Sequence, residues 1–301
     1  MERISTFSQH RQLIAQALDV QRKAATQQTQ IATGKKSVTY EGVAQNARTI
    51  VNLESDLKRA DRYVTNGTIV NARVETMYSA VSQLGDLATD IQTWLSGVTS
   101  GAGDEVAGVN DQAQAYLEEV AALLNTQQAG RYLFSGSRTD TAPVNLDALT
   151  ATPSSSTADT AYYTGDGQIA SFDAGPDLTT SYGVTADSTG FEQLIRALNI
   201  ARTASEDPAD TVALTAAYQL AGAANDDISV TRTQLSDTSQ SIERAVDSHV
   251  DFQLYVESLV DDLQNIDVAE ITAELSATEA QLEASYNVLT MLQKINLLDY
   301  L

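Results

Sequence analysis

Residues 267–301, DVAEITAELSATEAQLEASYNVLTMLQKINLLDYL, decide the fold. Asp267 is a predicted N-cap, and no Pro or Gly interrupts the run that follows. Ile271, Leu275, Thr278, Leu282, Ser285, Leu289 and Leu292 recur at alternating steps of four and three. That is the spacing of a coiled-coil seam with two small polar residues among its knobs. As a helix the segment would run roughly 50 Å at about 1.5 Å per residue. A second apolar strip, Tyr286, Ile295, Leu297 and Leu298, lies partly off that seam. One facing helix cannot cover both, so the segment needs at least one partner.

The other end of the chain carries the matching pattern. Ile4, Phe7, Ile14, Leu18, Ala25 and Ala32 fall on one three-four series, with Arg11, Gln21 and Gln28 in the intervening slots. The two ends also differ in charge. Arg3, Arg11, Arg22, Lys23, Lys35 and Lys36 make the first stretch net basic, whereas Asp and Glu outnumber Lys294 in the last. Opposite charge beside two apolar seams selects partner and orientation in helix pairs. Both seams are diluted with Gln, Ser, Thr and Arg. Seams this thin suit a pair completed by neighbouring molecules; the alternative is an antiparallel bundle that closes on itself.

Composition narrows the classes. Hydrophobic residues make up 43% of the 301, enough for a core, while aromatics are only 6% and Pro is rare, which favours long helices. A net charge of −22 argues against binding nucleic acid or an anionic membrane. With no cysteine there is neither a disulfide framework nor thiol chemistry. No stretch approaches the roughly 18 apolar residues of a membrane span. The polar, patterned N-terminus lacks the apolar core of a cleavable signal peptide, so a secreted chain would need another route.

In chain order, Thr33-Gly34-Lys35-Lys36 is a helix stop, and 37–41 is a short connector. A second helix is predicted from about Gly42 to Leu95, with Leu53, Leu57, Ala60, Val64, Gly67, Asn71, Val74, Tyr78 and Val81 at heptad spacing. A glycine-rich turn precedes a third helix over about Asp104–Tyr132. Residues 150–160, almost wholly small and polar, read as a mobile loop. Tyr162–Thr164, Gly165–Gly167 and Gln168–Phe172 read as strand, turn and strand; Thr179–Thr185 is a further strand candidate and Phe191–Thr203 a short amphipathic helix. Asp207-Pro208 should open the longest helix, to about Asn265, on a seam from Ile228 through Leu235, Ile242, His249 and Val256 to Ile266. The predicted fold class is mainly α: an elongated antiparallel helical rod or coiled coil built from both chain ends, with a small β-rich inserted domain. The expected domains are a terminal helix pair (1–36 with 267–301), a helical rod (37–133 with 206–266) and the insertion (134–205).

Chemistry has few candidates. The only histidines are His10 and His249, and the second sits in a helix seam, where packing is the ordinary role. No His/Cys cluster has metal spacing. Gly34-Lys35 lacks the preceding strand and glycine of a phosphate loop. Asp166 between two glycines is better read as a hairpin turn than as a cation site. The pairs Asp226-Asp227 and Asp261-Asp262 point in different directions around one helix. No catalytic, metal-binding or cofactor site is expected, and no enzyme signature is present.

Three segments carry a family likeness. Arg3-Ile4-Ser5-Thr6 with Gln30-Ile31-Ala32-Thr33-Gly34-Lys35-Lys36 resembles the N-terminal signature of bacterial flagellins and their hook-associated relatives. Ala269-Glu270 through Leu282-Glu283-Ala284-Ser285-Tyr286 to Leu297-Leu298 resembles the C-terminal signature. Gly130-Arg131-Tyr132-Leu133-Phe134-Ser135-Gly136-Ser137 resembles the approach to the outer domain of hook-associated protein 3, the hook–filament junction family. The resemblance implies a structural, secreted subunit exported by the flagellar type III system. It would form a homo-oligomeric ring between the first hook-associated junction protein and flagellin, with an export chaperone as a further partner. It places the assembly interface on Ile4, Phe7, Ile14, Leu18, Ile271, Leu275, Leu282, Leu289, Leu292, Ile295 and Leu298. Two alternatives stay open: a flagellin of the filament itself, and a binding or adhesin module in 134–205, where Tyr162-Tyr163 would stack on sugars.

Overall fold

The computed structural model describes residues 2–100, 108–176, 178–205 and 210–298. It is mainly α, and its contacts divide the chain into two units, Met1–Arg59 with Phe252–Leu301, and Ala60–Asp251.

The first unit joins the two chain ends. Helix α1 (Glu2–Thr33) stops at Gly34, whose φ of +71° suits glycine and whose N–H donates to the Gln30 carbonyl at 2.8 Å. A 3₁₀ turn, Tyr40–Val43, takes in Gly42, so α2 (Ala47–Thr99) begins a few residues later than its pattern implied. At the other end α5 (Thr211–Gln264) breaks at Asn265 and α6 (Val268–Leu298) follows. The Asp267 carboxylate caps α6, accepting from Ala269 N at 2.8 Å and Glu270 N at 3.2 Å. The two breaks are stitched together. Lys36 N donates to Gln264 O at 2.7 Å and Ile266 N to Gly34 O at 3.0 Å. The Lys36 ammonium adds bonds to the Asp262 and Leu263 carbonyls, where the end of α5 carries partial negative charge.

The second unit holds one contiguous apolar core. Val74, Leu84 and Ile91 of α2, Leu117 and Leu124 of α3 (Val109–Leu124), Phe191 and Leu198 of α4 (Thr189–Thr203), and Ile228 and Leu235 of α5 are all buried in it. Gly67 lets these elements close up: a Cβ there would collide with Val246 of α5 and press on Phe172. The start of α5 expected at Asp207-Pro208, the Asp104 end of the third helix and part of the glycine-rich turn lie outside the described residues.

Three expectations are corrected here. The third helix ends at Leu124, not near Tyr132. Asn125 leaves the helix to clasp Val144, donating to its carbonyl at 3.1 Å and accepting its N–H at 2.9 Å. Ala129 and Gly130, both at positive φ, then turn β1 (Gln127–Gln128) antiparallel onto β2 (Arg131–Tyr132). Secondly, β3 (Ala170–Gly175) pairs with β4 (Leu178–Tyr182), so the expected hairpin between 162–164 and 168–172 does not form; Tyr163 bridges Val144 instead. Thirdly, residues 150–160 are tied down rather than loose. Arg196 donates to the Ser155 carbonyl at 2.9 Å, Asn199 to Thr150 O at 2.9 Å, and Asp159 N reaches Glu192 at 2.8 Å. Composition hides this because the anchors sit on α4, not in the loop.

Candidate assembly interface

α1 and α6 pack against each other in the first unit. Between Val268 and Met291, the α6 residues withdrawn from solvent are Ile271, Leu275, Thr278, Leu282, Ser285 and Leu289, the spacing read from the sequence. Thr278 is the most buried, and its hydroxyl is satisfied by the Glu274 carbonyl at 2.8 Å.

On α1 the buried strip is one residue away from the expected one. His10, Leu13, Ala17, Val20, Ala24, Gln27 and Ile31 are buried or half-buried. Ile14 is 41% exposed and Leu18 53%, and Ala25 and Ala32 are also exposed. A one-residue step turns a helix by about 100°, so the strip carrying Ile14 and Leu18 faces away from the buried side of α1. Small residues favour the strip that is used, because Ala17 and Ala24 let two backbones approach. Gln27, 3% exposed, donates to Glu274 of α6 at 3.0 Å and acts as a polar marker of register. α6 also keeps an uncovered side: Tyr286 is 47% exposed, Val288 45% and Met291 65%. The side chains of Ile4, Phe7, Leu292, Ile295 and Leu298 lie outside the described residues.

The remaining candidates take structural roles. The His249 ring stacks on Tyr63 with centroids 4.8 Å apart, and its Nε2 lies 2.7 Å from the Ala174 carbonyl. Tyr162 cannot be a sugar platform: it is fully buried, and its hydroxyl donates to Ala186 O at 3.0 Å. Burial pushes its phenol well above the usual range and pushes that of Tyr163 up to about 12. Asp166 closes a turn by accepting from Ser137 N at 2.8 Å and Gln168 N at 3.1 Å. Among the described residues no group of His, Cys, Asp or Glu is arranged to hold a metal, and no helix is long and apolar enough to cross a membrane.

Comparison with known proteins bears on both ends. The bacterial flagellin N-terminal helical region matches residues 3–139, and the bacterial flagellin C-terminal helical region matches 218–301. No curated protein matches by sequence. Among solved structures, a flagellar hook-associated protein of Vibrio parahaemolyticus is similar at a TM-score of 0.59 and 14% identity, over 72% of this chain and 97% of that one. FlgL of Bacillus cereus aligns at 0.43 and 13% identity over 72% and 97%. Flagellar hook-associated protein 3 of Legionella pneumophila aligns at 0.31 and 14% over 85% and 100%.

Proposed function

The chain belongs to the bacterial flagellin family, and from that premise we propose that this structural flagellar protein works at the hook–filament junction. Its terminal helices would be the assembling part. The observation that carries this reading is the surface left over when the two ends pair. Ile14 and Leu18 on α1, and Tyr286, Val288 and Met291 on α6, remain in water after α1 and α6 have covered each other. Each large apolar side chain fully buried gains about 1.5–3 kcal/mol. A ring of like subunits that covered these strips would therefore add apolar burial that the lone subunit does not have.

In this reading Ile4, Phe7, Ile14 and Leu18 of α1, with Leu292, Ile295 and Leu298 of α6, form the interface within a homo-oligomeric ring, while Ile271, Leu275, Leu282 and Leu289 hold the helix pair that presents it. The first junction protein lies on the hook side and flagellin on the filament side, with delivery through the flagellar export channel by a chaperone. The fold shared with a flagellar hook-associated protein of Vibrio parahaemolyticus is consonant with a hook-associated role. Loss of the gene tests it. A junction subunit's absence leaves hooks in place and sheds filament protein into the medium. Filaments that persist, shorter or altered, would instead mark a filament subunit.

A further inference from the structure

In the second unit four backbone segments converge on a cleft of about 360 Å³. Arg73 and Met77 enter from α2, Arg131 and Tyr132 from β2, and the 136–139 turn closes one side. The start of β3 and the end of β4 form the rest. Its size is that of a small-molecule site, not of a packing defect. Its chemistry is out of keeping with the chain. The protein has 40 acidic residues against 18 basic, yet no carboxylate lines this cleft and two guanidiniums do. Among the described residues neither Arg73 nor Arg131 has an ion-pair partner; Arg73 donates only to the Tyr182 hydroxyl, at 3.3 Å.

The other walls are suited to a hydroxylated ring. Tyr132 and Tyr182 offer half-buried aromatic surface, and Thr139 and Gln168 offer neutral donors and acceptors, while Ser137, whose hydroxyl donates to Asp166, can add only an acceptor. Gly183 shapes the floor. Its φ is +93°, and a Cβ there would lie 3.0 Å from the Met77 methyl, so backbone and thioether already touch. We propose that this cleft binds a small anionic saccharide, its carboxylate or phosphate held by Arg73 and Arg131 and its ring laid against the tyrosines. The guanidinium fork matches either anion. The net negative charge of the chain does not forbid capture, because charges beyond about 8 Å are screened at physiological salt.

The test is a titration of the full-length monomer, in about 150 mM salt, with glucuronate, glucose 6-phosphate, glucose, inorganic phosphate and a triglutamate peptide, read by amide shifts. Saturable shifts at Tyr132, Tyr182 and Gly183 are expected with one or both anionic sugars, and which one binds assigns the acid group. Arg73→Gln and Arg131→Gln should each weaken that binding by about tenfold or more, whereas Arg244→Glu on α5 should not. Equal binding of glucose overturns the role of the arginines. Inorganic phosphate binding as tightly as the sugars overturns the role of the ring. Tighter binding of triglutamate replaces the sugar with an acidic peptide, and no saturable shift with any anionic sugar refutes the site. The comparison of ligands on the unaltered chain stands even if a variant fails to fold.

Discussion

Arg196 and Glu192 are almost out of water, 8% and 4% exposed at their side chains, with Arg196 Nε 3.0 Å from Glu192 Oε1. The pair forms one turn of α4 and also holds the 150–160 segment by its carbonyls. Removing one partner leaves the other charge buried, which costs about 3–5 kcal/mol. Arg196→Ala should therefore lower stability by that amount in urea unfolding, and should open the Ser/Thr segment to proteases that spare the parent. Asp166 gives a pH prediction. The Ser137 hydroxyl and then its N–H, with the Gln168 N–H and the Arg138 charge adding less, hold the carboxyl below its ordinary 3.8 against the opposing effect of desolvation. A depressed carboxyl stabilises the fold fully above the ordinary value and loses that effect as pH falls through the folded one. Carbon NMR of the Asp166 carboxyl should show a midpoint under 3.8, and Ser137→Ala should move it upward.

At the scale of elements the two strips of α1 can be separated. Ala17→Asp puts a carboxylate into the buried α1–α6 seam, at a cost of several kcal/mol. Circular dichroism should show the end helices melting early. Ile14→Asp and Leu18→Asp alter exposed positions, so the monomer should melt as the parent does while its assembly into the junction fails. Identical behaviour of the two sets would contradict the division of α1 into an inner and an outer face. The α6 seam was legible in the sequence because its knobs are mostly Leu and Ile, whose period stands out from Ala, Glu and Thr. On α1 the buried strip runs from His10 through Leu13, Ala17, Val20, Ala24 and Gln27 to Ile31, and a second strip with Ile14 and Leu18 lies one residue away; both carry large apolar residues, so periodicity alone does not choose between them. Only the geometry of close backbone approach picks the small residues. The early end of α3 was hidden for a related reason: Asn125 leaves its helix for a partner, Val144, whose carbonyl no pattern in α3 reveals. The arginine cleft could not be read at all, since its liners are scattered from Arg73 to Thr185.

For the whole molecule, the distribution of burial sets an order of unfolding. Among the described residues the first unit buries Ala17, Ala24, Ile50 and Val256 with the polar Gln27 and Thr278, while the second buries a contiguous set of Val, Leu, Ile and Phe side chains. At about 25 cal/mol per Å² of apolar surface, alanines contribute little against that core. Calorimetry of the dilute monomer should show two transitions, with proteolysis during the first leaving a fragment near 60–251. A single transition with both ends protected would mean that the terminal pair is as firmly held as the core. The stitching of Gly34 and Lys36 to Gln264 and Ile266 has another consequence. α1 has its partner in α6, so no stretch of chain that stops short of α6 contains the pair. A polypeptide cut short before Val268 can fold its second unit and still have nothing to lay against α1. Translation must pass α6 before the subunit can present the helix pair, so copies terminated before Val268 are kept out of the growing structure by their own incompleteness.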